Sequence, residues 1–124
     1  MILLTIDEII ELHKKLVTKT GGSTELRDRG LLESAVYNAF GGFGDIEVYP
    51  TVEEKSVRLM YSLVNNHASV DGNKRIGVLV MLLMLRLNGI FLKHTQEELI
   101  VLGLTTASGK ADYCDILDFI NNHK

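Results

Sequence analysis

The sequence of 124 residues has one cysteine, one proline, no tryptophan and no excess of basic charge. The single cysteine, Cys114, allows no internal disulfide and no cysteine-based metal site, and we expect it to be a small residue packed on a helix. The formal net charge is -3 and the pI is about 5.8. A broad nucleic-acid-binding surface needs a basic excess, so we expect no direct nucleic acid binding.

The sequence also has no long hydrophobic run. The longest one, Ile76 to Leu85, is interrupted by Gly77 and is far shorter than the roughly 20 residues that cross a bilayer. Residues Met1 to Leu4 are apolar, but Asp7 and Glu8 follow at once, which is unlike a signal peptide. We therefore expect a cytoplasmic protein with no membrane contact.

Apolar residues make up 46% of the sequence and charged residues 23%, the balance of an ordinary globular domain. The length fits one domain, and neither a repeat nor a linker divides it. We expect residues 1–124 to form a single domain.

Helical signals cover nearly the whole sequence. Threonine–glutamate pairs at capping-box spacing begin with Thr5, Thr51 and Thr95, and each precedes an apolar pattern of helical period. A glycine-rich stretch, 41–44, predicts a loop before Pro50. The patterns predict an all-α fold, a compact bundle around a buried central helix, with helices over 6–19, 31–40, 52–66, 73–87, 96–106 and 111–122.

The segment His67-Ala68-Ser69-Val70-Asp71-Gly72-Asn73-Lys74-Arg75 enters the expected central helix. A helix start presents free backbone N–H groups and the positive end of the helix dipole, which together favour an anion. Gly72 lets the backbone approach a ligand closely. Lys74 and Arg75 add two positive charges, so the segment predicts a phosphate site.

Two other side chains in the segment suit phosphate chemistry. Asp71 could hold Mg²⁺ together with phosphate oxygens, and His67 could take a proton from a hydroxyl near neutral pH. This combination is typical of phosphoryl or nucleotidyl transfer. The alternative remains open at this point, because Asp-Gly-Asn is a common turn and Lys-Arg can be a solvated helix start.

The same segment resembles the signature of the Fic/Doc superfamily, H-x-F-x-[DN]-[AG]-N-[GK]-R. The lysine at position 74 resembles the death-on-curing (Doc) branch, since the Fic branch usually has glycine there. The resemblance covers roughly residues 1 to 120. It includes Gly21-Gly22-Ser23, Leu26-Arg27-Asp28, Gly30-Leu31-Leu32-Glu33-Ser34-Ala35, Tyr49-Pro50, Asn66-His67 and Leu87-Asn88-Gly89.

This resemblance implies a small helical bundle in which the motif loop leads into the central helix. It implies that ATP and Mg²⁺ bind at this loop. The implied roles are general base for His67, Mg²⁺ ligand for Asp71, anion-binding loop for Gly72 and Asn73, and neutralisation of phosphate charge for Lys74 and Arg75.

Doc-type proteins are toxins of type II toxin–antitoxin systems that transfer the γ-phosphate of ATP to a hydroxyl of a target protein. The best-known target is a threonine of elongation factor Tu, whose modification blocks translation. Fic-type proteins transfer AMP instead. A long cation at position 74 would crowd the Fic nucleotide pose, so the resemblance favours phosphate transfer, with AMP transfer as the alternative.

Two positions depart from the Fic pattern. Ser69 stands where the motif has phenylalanine, whose ring anchors the loop in the core, so a catalytically weakened binding module is a further alternative. Val78 replaces the second arginine of Fic motifs, in agreement with the Doc branch. No glutamate is followed by Gly or Asn, so the inhibitory pattern [ST]-x-x-x-E-[GN] is absent and we expect inhibition by a separate antitoxin.

A few other polar and aromatic residues have simpler interpretations. His13 lies on the apolar face of the first predicted helix, and we expect a packed structural histidine. Arg27 and Asp28 are candidates for an ion pair that holds the loop near the site. Phe43 is either a flap residue over the target peptide or an anchor.

Overall fold

The computed structural model of the chain describes residues 1–26, 28–43, 46–66 and 72–124, and at 42–43 and 46–47 it describes the backbone. The described residues form six helices and a two-stranded antiparallel hairpin. The elements are α1 (Ile6–Thr20), α2 (Arg29–Phe40), β1 (Gly42–Phe43), β2 (Ile46–Glu47), α3 (Val52–Asn66), α4 (Asn73–Leu87), α5 (Gln96–Ala107) and α6 (Tyr113–His123). The expected all-α fold is confirmed, and the hairpin lies where the glycine-rich loop was predicted.

The predicted helix starts are largely confirmed by their caps. At α1 the N–H of Glu8 donates to Thr5 Oγ1 (3.1 Å), and the Thr5 N–H donates to Glu8 Oε1 (3.0 Å). Thr95 forms the same reciprocal pair at α5. At α3 the hydroxyl of Thr51, and not its N–H, donates to the glutamate, so only half of the box forms.

Two helices begin at caps that the sequence patterns did not identify. The carboxylate of Asp28 accepts from the N–H groups of Gly30 (2.8 Å) and Leu31 (3.4 Å), so α2 begins two residues earlier than predicted. Asp112 caps α6 by a box with aspartate at its third position, which starts this helix two residues later than predicted. Cys114 lies in that first turn and is exposed, so its predicted packing is wrong.

The central position predicted for α4 is confirmed. One face of α4, with Val80 and Met84, packs in an apolar cluster with residues of α1, α2 and α3. The opposite face, with Met81 and Leu85, packs in a second cluster with residues of α3, α5 and α6. Because α4 is covered on both sides, its apolar residues point in all directions around the helix.

Helix α4 packs most extensively on α3, and a glycine sets how closely the two approach. A Cβ on Gly77 would lie 2.7 Å from Val64 Cγ2 and 3.1 Å from the Met60 carbonyl oxygen. These distances are shorter than ordinary van der Waals contact. The absence of a side chain at Gly77 therefore fixes the spacing of α3 and α4.

The last helix is tied to α5 by a histidine. His123 Nε2 lies 2.6 Å from Glu98 Oε2, and its Nδ1 lies 2.7 Å from the Phe119 carbonyl oxygen. Both nitrogens face acceptors, which suits the protonated ring, and the hydrogen bond to Glu98 raises the pKa of His123 above its ordinary value. Among the described residues, no helix has the length and apolarity needed to span a membrane.

Candidate functional site at the start of the central helix

The start of α4 carries the features expected of an anion site. Gly72 is the N-cap, with φ 80° and ψ 13°, and no side chain caps the helix within the described part of the chain. The Ile76 N–H donates to the Gly72 carbonyl oxygen (2.8 Å), which closes the first turn. The amides that precede Ile76 in this turn have no acceptor within the helix, and the dipole places partial positive charge there.

A glycine is needed at position 72 for two reasons. Its φ lies in the left-handed region, where other residues are strained. A Cβ there would also lie 2.9 Å from Val17 Cγ1 and 3.5 Å from His13 Nε2. The chain thus turns into α4 directly against the side of α1, with no room for a side chain between them.

The first residues of α4 face two different regions. Asn73 lines a small cavity of about 40 Å³ together with His13, Thr24 and several apolar side chains. Lys74 and Arg75 are exposed and line a groove on the other side. The first turn of α4 contains no acidic residue, so the two cations give the helix start a local positive charge despite the acidic net charge.

The groove has a volume of about 610 Å³ and lies between α1, α4 and α5. Its middle is apolar, and Arg86 and His94 join the two cations along its walls. Ile100 and Leu104 on the α5 wall are 54% and 52% exposed, although they are apolar. The full lining is Leu16, Thr20, Lys74, Arg75, Val78, Leu79, Leu82, Arg86, His94, Gln96, Leu99, Ile100, Gly103 and Leu104.

Sequence reasoning did not identify this groove. The sequence of α5 did carry a signal for an exposed apolar surface. Its middle residues, 99–104, have no polar side chain on any face of the helix. A helix of 12 residues with apolar residues all round is either fully buried or has a face that waits for a partner. In the structure Ile100, Val101 and Leu104 on α5 are exposed, so this helix presents an apolar face at the surface.

Several predicted residues cannot be placed. His67, Ser69 and Asp71 lie outside the described residues, as does Arg27 with its predicted ion pair. Asp28 is a helix cap, and for Phe43 only the backbone is described. Within 1–26, 28–43, 46–66 and 72–124, no group of three His, Cys, Asp or Glu could hold a metal ion.

The described residues on either side of the segment 67–71, Asn66 and Gly72, each contact another helix. Asn66, the last residue of α3, donates from Nδ2 to the Leu31 carbonyl oxygen (2.9 Å), which joins the end of α3 to α2. Gly72 then rests on α1. The two ends of the segment are therefore held by different helices.

A sequence profile described as "Fic/DOC family" matches residues 3–85. The chain belongs to the Fic/DOC family. The match includes the start of α4 and ends within α4, so the α5 wall of the groove lies beyond the matched residues.

The "Toxin Doc" of Mycolicibacterium smegmatis (strain ATCC 700084 / mc(2)155) is 39% identical to this Fic/DOC chain over 70 residues. The alignment covers 56% of this chain and 54% of the relative. The chain thus aligns with about half the length of this curated relative. The similarity supports assignment to the Doc branch, as the lysine at position 74 predicts.

Proposed function

We propose that this Fic/DOC chain is a death-on-curing toxin that transfers the γ-phosphate of Mg-ATP to a serine or threonine hydroxyl of a target protein. The start of α4 carries the proposal, because its first amides have no acceptor within the helix and the exposed cations Lys74 and Arg75 lie in the same turn, in a family that uses nucleotides. We also propose that residues 1–124 act as one domain, in the cytoplasm.

The proposed phosphate contacts follow from the helix start. The amides of Gly72 and Asn73 would bind phosphate oxygens, and the side chains of Lys74 and Arg75 would neutralise their charge. These donors fit the phosphate groups of ATP, since backbone amides at a helix start and exposed cations both favour anionic oxygens. Asp71 would hold Mg²⁺, which supplies further neutralisation of phosphate charge when bound.

The proposed transfer is a single displacement. The target hydroxyl oxygen forms a bond to the γ-phosphorus, and the bond from that phosphorus to the bridging oxygen of ADP breaks. His67 takes the hydroxyl proton as general base. ADP leaves, and the target carries a phosphate ester. Elongation factor Tu is the first target to test.

ATP labelled at the α or γ phosphate distinguishes this reaction from its alternative. We expect purified elongation factor Tu to acquire label from γ-labelled ATP only. Label from α-labelled ATP would instead show AMP transfer. Lys74→Ala should reduce labelling by about tenfold or more, the scale of a lost charge-assisted contact to phosphate. Lys110→Ala, an exposed lysine outside the site, is the matched control and should label like the wild type.

A chain that labels no protein in a cell extract from either ATP would contradict the enzymatic proposal and favour the binding module. In that case Ser69→Phe distinguishes an enzyme weakened by the serine from a module that only binds a partner. A gain of labelling in this variant would identify a weakened enzyme, whereas continued inactivity would leave binding as the function.

We further propose that the groove binds a segment of an antitoxin. Its apolar middle, between Leu16 and Leu104, matches the apolar face of an amphipathic helix, and its cations favour acidic side chains on that segment. The groove also shares Lys74 and Arg75 with the phosphate site, so an occupant would cover two groups that ATP needs. Binding there would inhibit the proposed transfer.

Exposed residues of α5 allow a sharp test of the groove. The candidate antitoxin is the product of the reading frame next to the gene for this chain. The double variant Ile100→Asp with Leu104→Asp places acidic groups in the groove, and it should no longer bind the candidate antitoxin. Val101→Asp is a matched control, since Val101 is 50% exposed on the same helix but does not line the groove. If the double variant and Val101→Asp bound the candidate antitoxin with equal affinity, the groove could not be the proposed binding site.

A further inference from the structure

His13 occupies an unusual position for a polar side chain. It lies in the middle of α1, is 4% exposed, and has the buried residues Ile9 and Val17 one turn away on either side. Burying an imidazole costs free energy unless its nitrogens have partners, and His13 does have an interaction partner. A leucine would fill such a site without that cost, so the position uses the polarity of the ring.

The polar edge of His13 points toward the start of α4. Its Nε2 and Cδ2 atoms would lie 3.5 and 3.7 Å from a Cβ on Gly72. The ring is therefore adjacent to the residue whose left-handed backbone turns the chain into α4. Val17 contacts the same residue from the next turn of α1.

A second observation joins His13 to the first turn of α4. His13 and Asn73 line the same small cavity, and Thr24 contributes another polar group to its wall. Asn73 also has an interaction partner. A histidine of α1 and the first residue of α4 thus face one small, mostly apolar cavity, whose other polar lining residues are Lys14 and Thr24.

We propose that His13 is a positioning residue that fixes the direction of the first turn of α4, and with it the amides that bind phosphate. The expected effect of His13 on ATP binding rests on the proposed nucleotide site, whereas the contact between His13 and Gly72 is independent of that proposal. His13 does not reach the reacting atoms in this proposal. It acts through Gly72 and Asn73, by holding the helix start against α1.

Three variants separate the polar role of His13 from its volume. His13→Leu keeps an apolar side chain of similar size but removes both nitrogens. His13→Gln retains a polar group near the position of Nε2, the nitrogen beside Gly72. Ile9→Ala is the control, because Ile9 is a buried α1 side chain that lines the same cavity but has no polar group and is not among the three atoms nearest to a Cβ on Gly72.

The first measurement is hydrogen exchange at the Ile76 amide, which closes the first turn of α4. We expect His13→Leu to accelerate this exchange about tenfold relative to the Met84 amide, the scale of one lost hydrogen bond. His13→Gln should restore most of the protection. Ile9→Ala should change both amides by the same factor. Unchanged relative exchange in His13→Leu, or the same acceleration in His13→Gln, would overturn the inference.

The second measurement is the dissociation constant for Mg-ATP. It should rise about tenfold in His13→Leu, recover in His13→Gln, and match the wild type in Ile9→Ala at a temperature where all variants are folded. A wild type that binds no Mg-ATP would refute the proposed function, while the exchange at Ile76 would still decide whether His13 holds the helix start.

Discussion

Substitution of alanine for glycine should change the free energy of unfolding in opposite directions at two helical positions, Gly77 and Gly103. The difference comes from the close contact between α3 and α4 at Gly77. Gly77 and Gly103 are both buried within helices, α4 and α5. Replacement of either by alanine gains about 1 kcal/mol of helix propensity. The space around each Cβ decides whether that gain is kept.

At Gly77 the gain is lost. The new Cβ would lie 2.7 Å from Val64 Cγ2 and 3.1 Å from the Met60 carbonyl oxygen. Val64 is 1% exposed and β-branched, so its side chain cannot rotate away within a helix. The carbonyl belongs to the α3 backbone. Helix α4 must move outward, and such overpacking costs roughly 1–3 kcal/mol, which leaves Gly77→Ala destabilised by about 1 kcal/mol.

At Gly103 the gain is retained. The nearest atom to the new Cβ would be Val78 Cγ2 at 3.5 Å, followed by Lys74 Cβ at 3.8 Å, both ordinary contacts. Gly103→Ala should therefore be stabilised by up to about 1 kcal/mol. Because the propensity gain is common to both variants, their difference of about 2 kcal/mol measures the clash alone.

Urea unfolding followed by circular dichroism measures both free energies of unfolding. Thermal unfolding should separate the two variants by roughly 8 °C, at about 4 °C per kcal/mol for a domain of this size. A Gly77→Ala variant as stable as Gly103→Ala would refute the argument that Gly77 fixes the spacing of α3 and α4.

Three further predictions concern polar contacts outside the site. The raised pKa of His123 stabilises the fold below the ordinary histidine pKa, and this contribution is lost as pH rises through the raised value; Glu98→Gln should therefore lower the thermal midpoint at pH 6 and have a smaller effect at pH 9. Burial raises the pKa of Tyr113 to about 12, and its hydroxyl has no hydrogen-bond partner among the described residues. Tyr113→Phe should thus leave the free energy of unfolding unchanged or slightly higher, and a loss above about 1 kcal/mol would reveal a bond that the hydroxyl makes. Asn88 accepts from the Ile2 N–H (2.7 Å) and donates to the Ile2 carbonyl oxygen (2.8 Å); Asn88→Ala should cost roughly 1–2 kcal/mol in urea unfolding, and no loss would show that water replaces these bonds.

Helix positions were predictable where the information is local. A threonine with a glutamate three residues later satisfies amides by itself, so the starts at Thr5 and Thr95 could be read directly. The same reasoning failed at Asp112 because its box uses aspartate as the third residue. It failed at Asp28 because the apolar pattern becomes clear only from Leu31 onward.

The candidate site was predictable only in part. The motif placed Gly72 at the start of the central helix, and the structure confirms the helix start and its left-handed glycine. The burial of His13 was also expected, whereas its contact with Gly72 was not. The two residues are far apart in the sequence, and no local pattern records which face of α1 meets α4.

The sequence by itself determined the helices of the described residues, the buried character of α4 and the two cations at its start, because caps, periodicity and a motif act over a few residues. Only the tertiary structure decided that α1 supports this helix start and that α1, α4 and α5 leave an apolar groove beside it. Both features depend on how separate helices pack, and the free energy of that packing comes from contacts between residues distant along the chain.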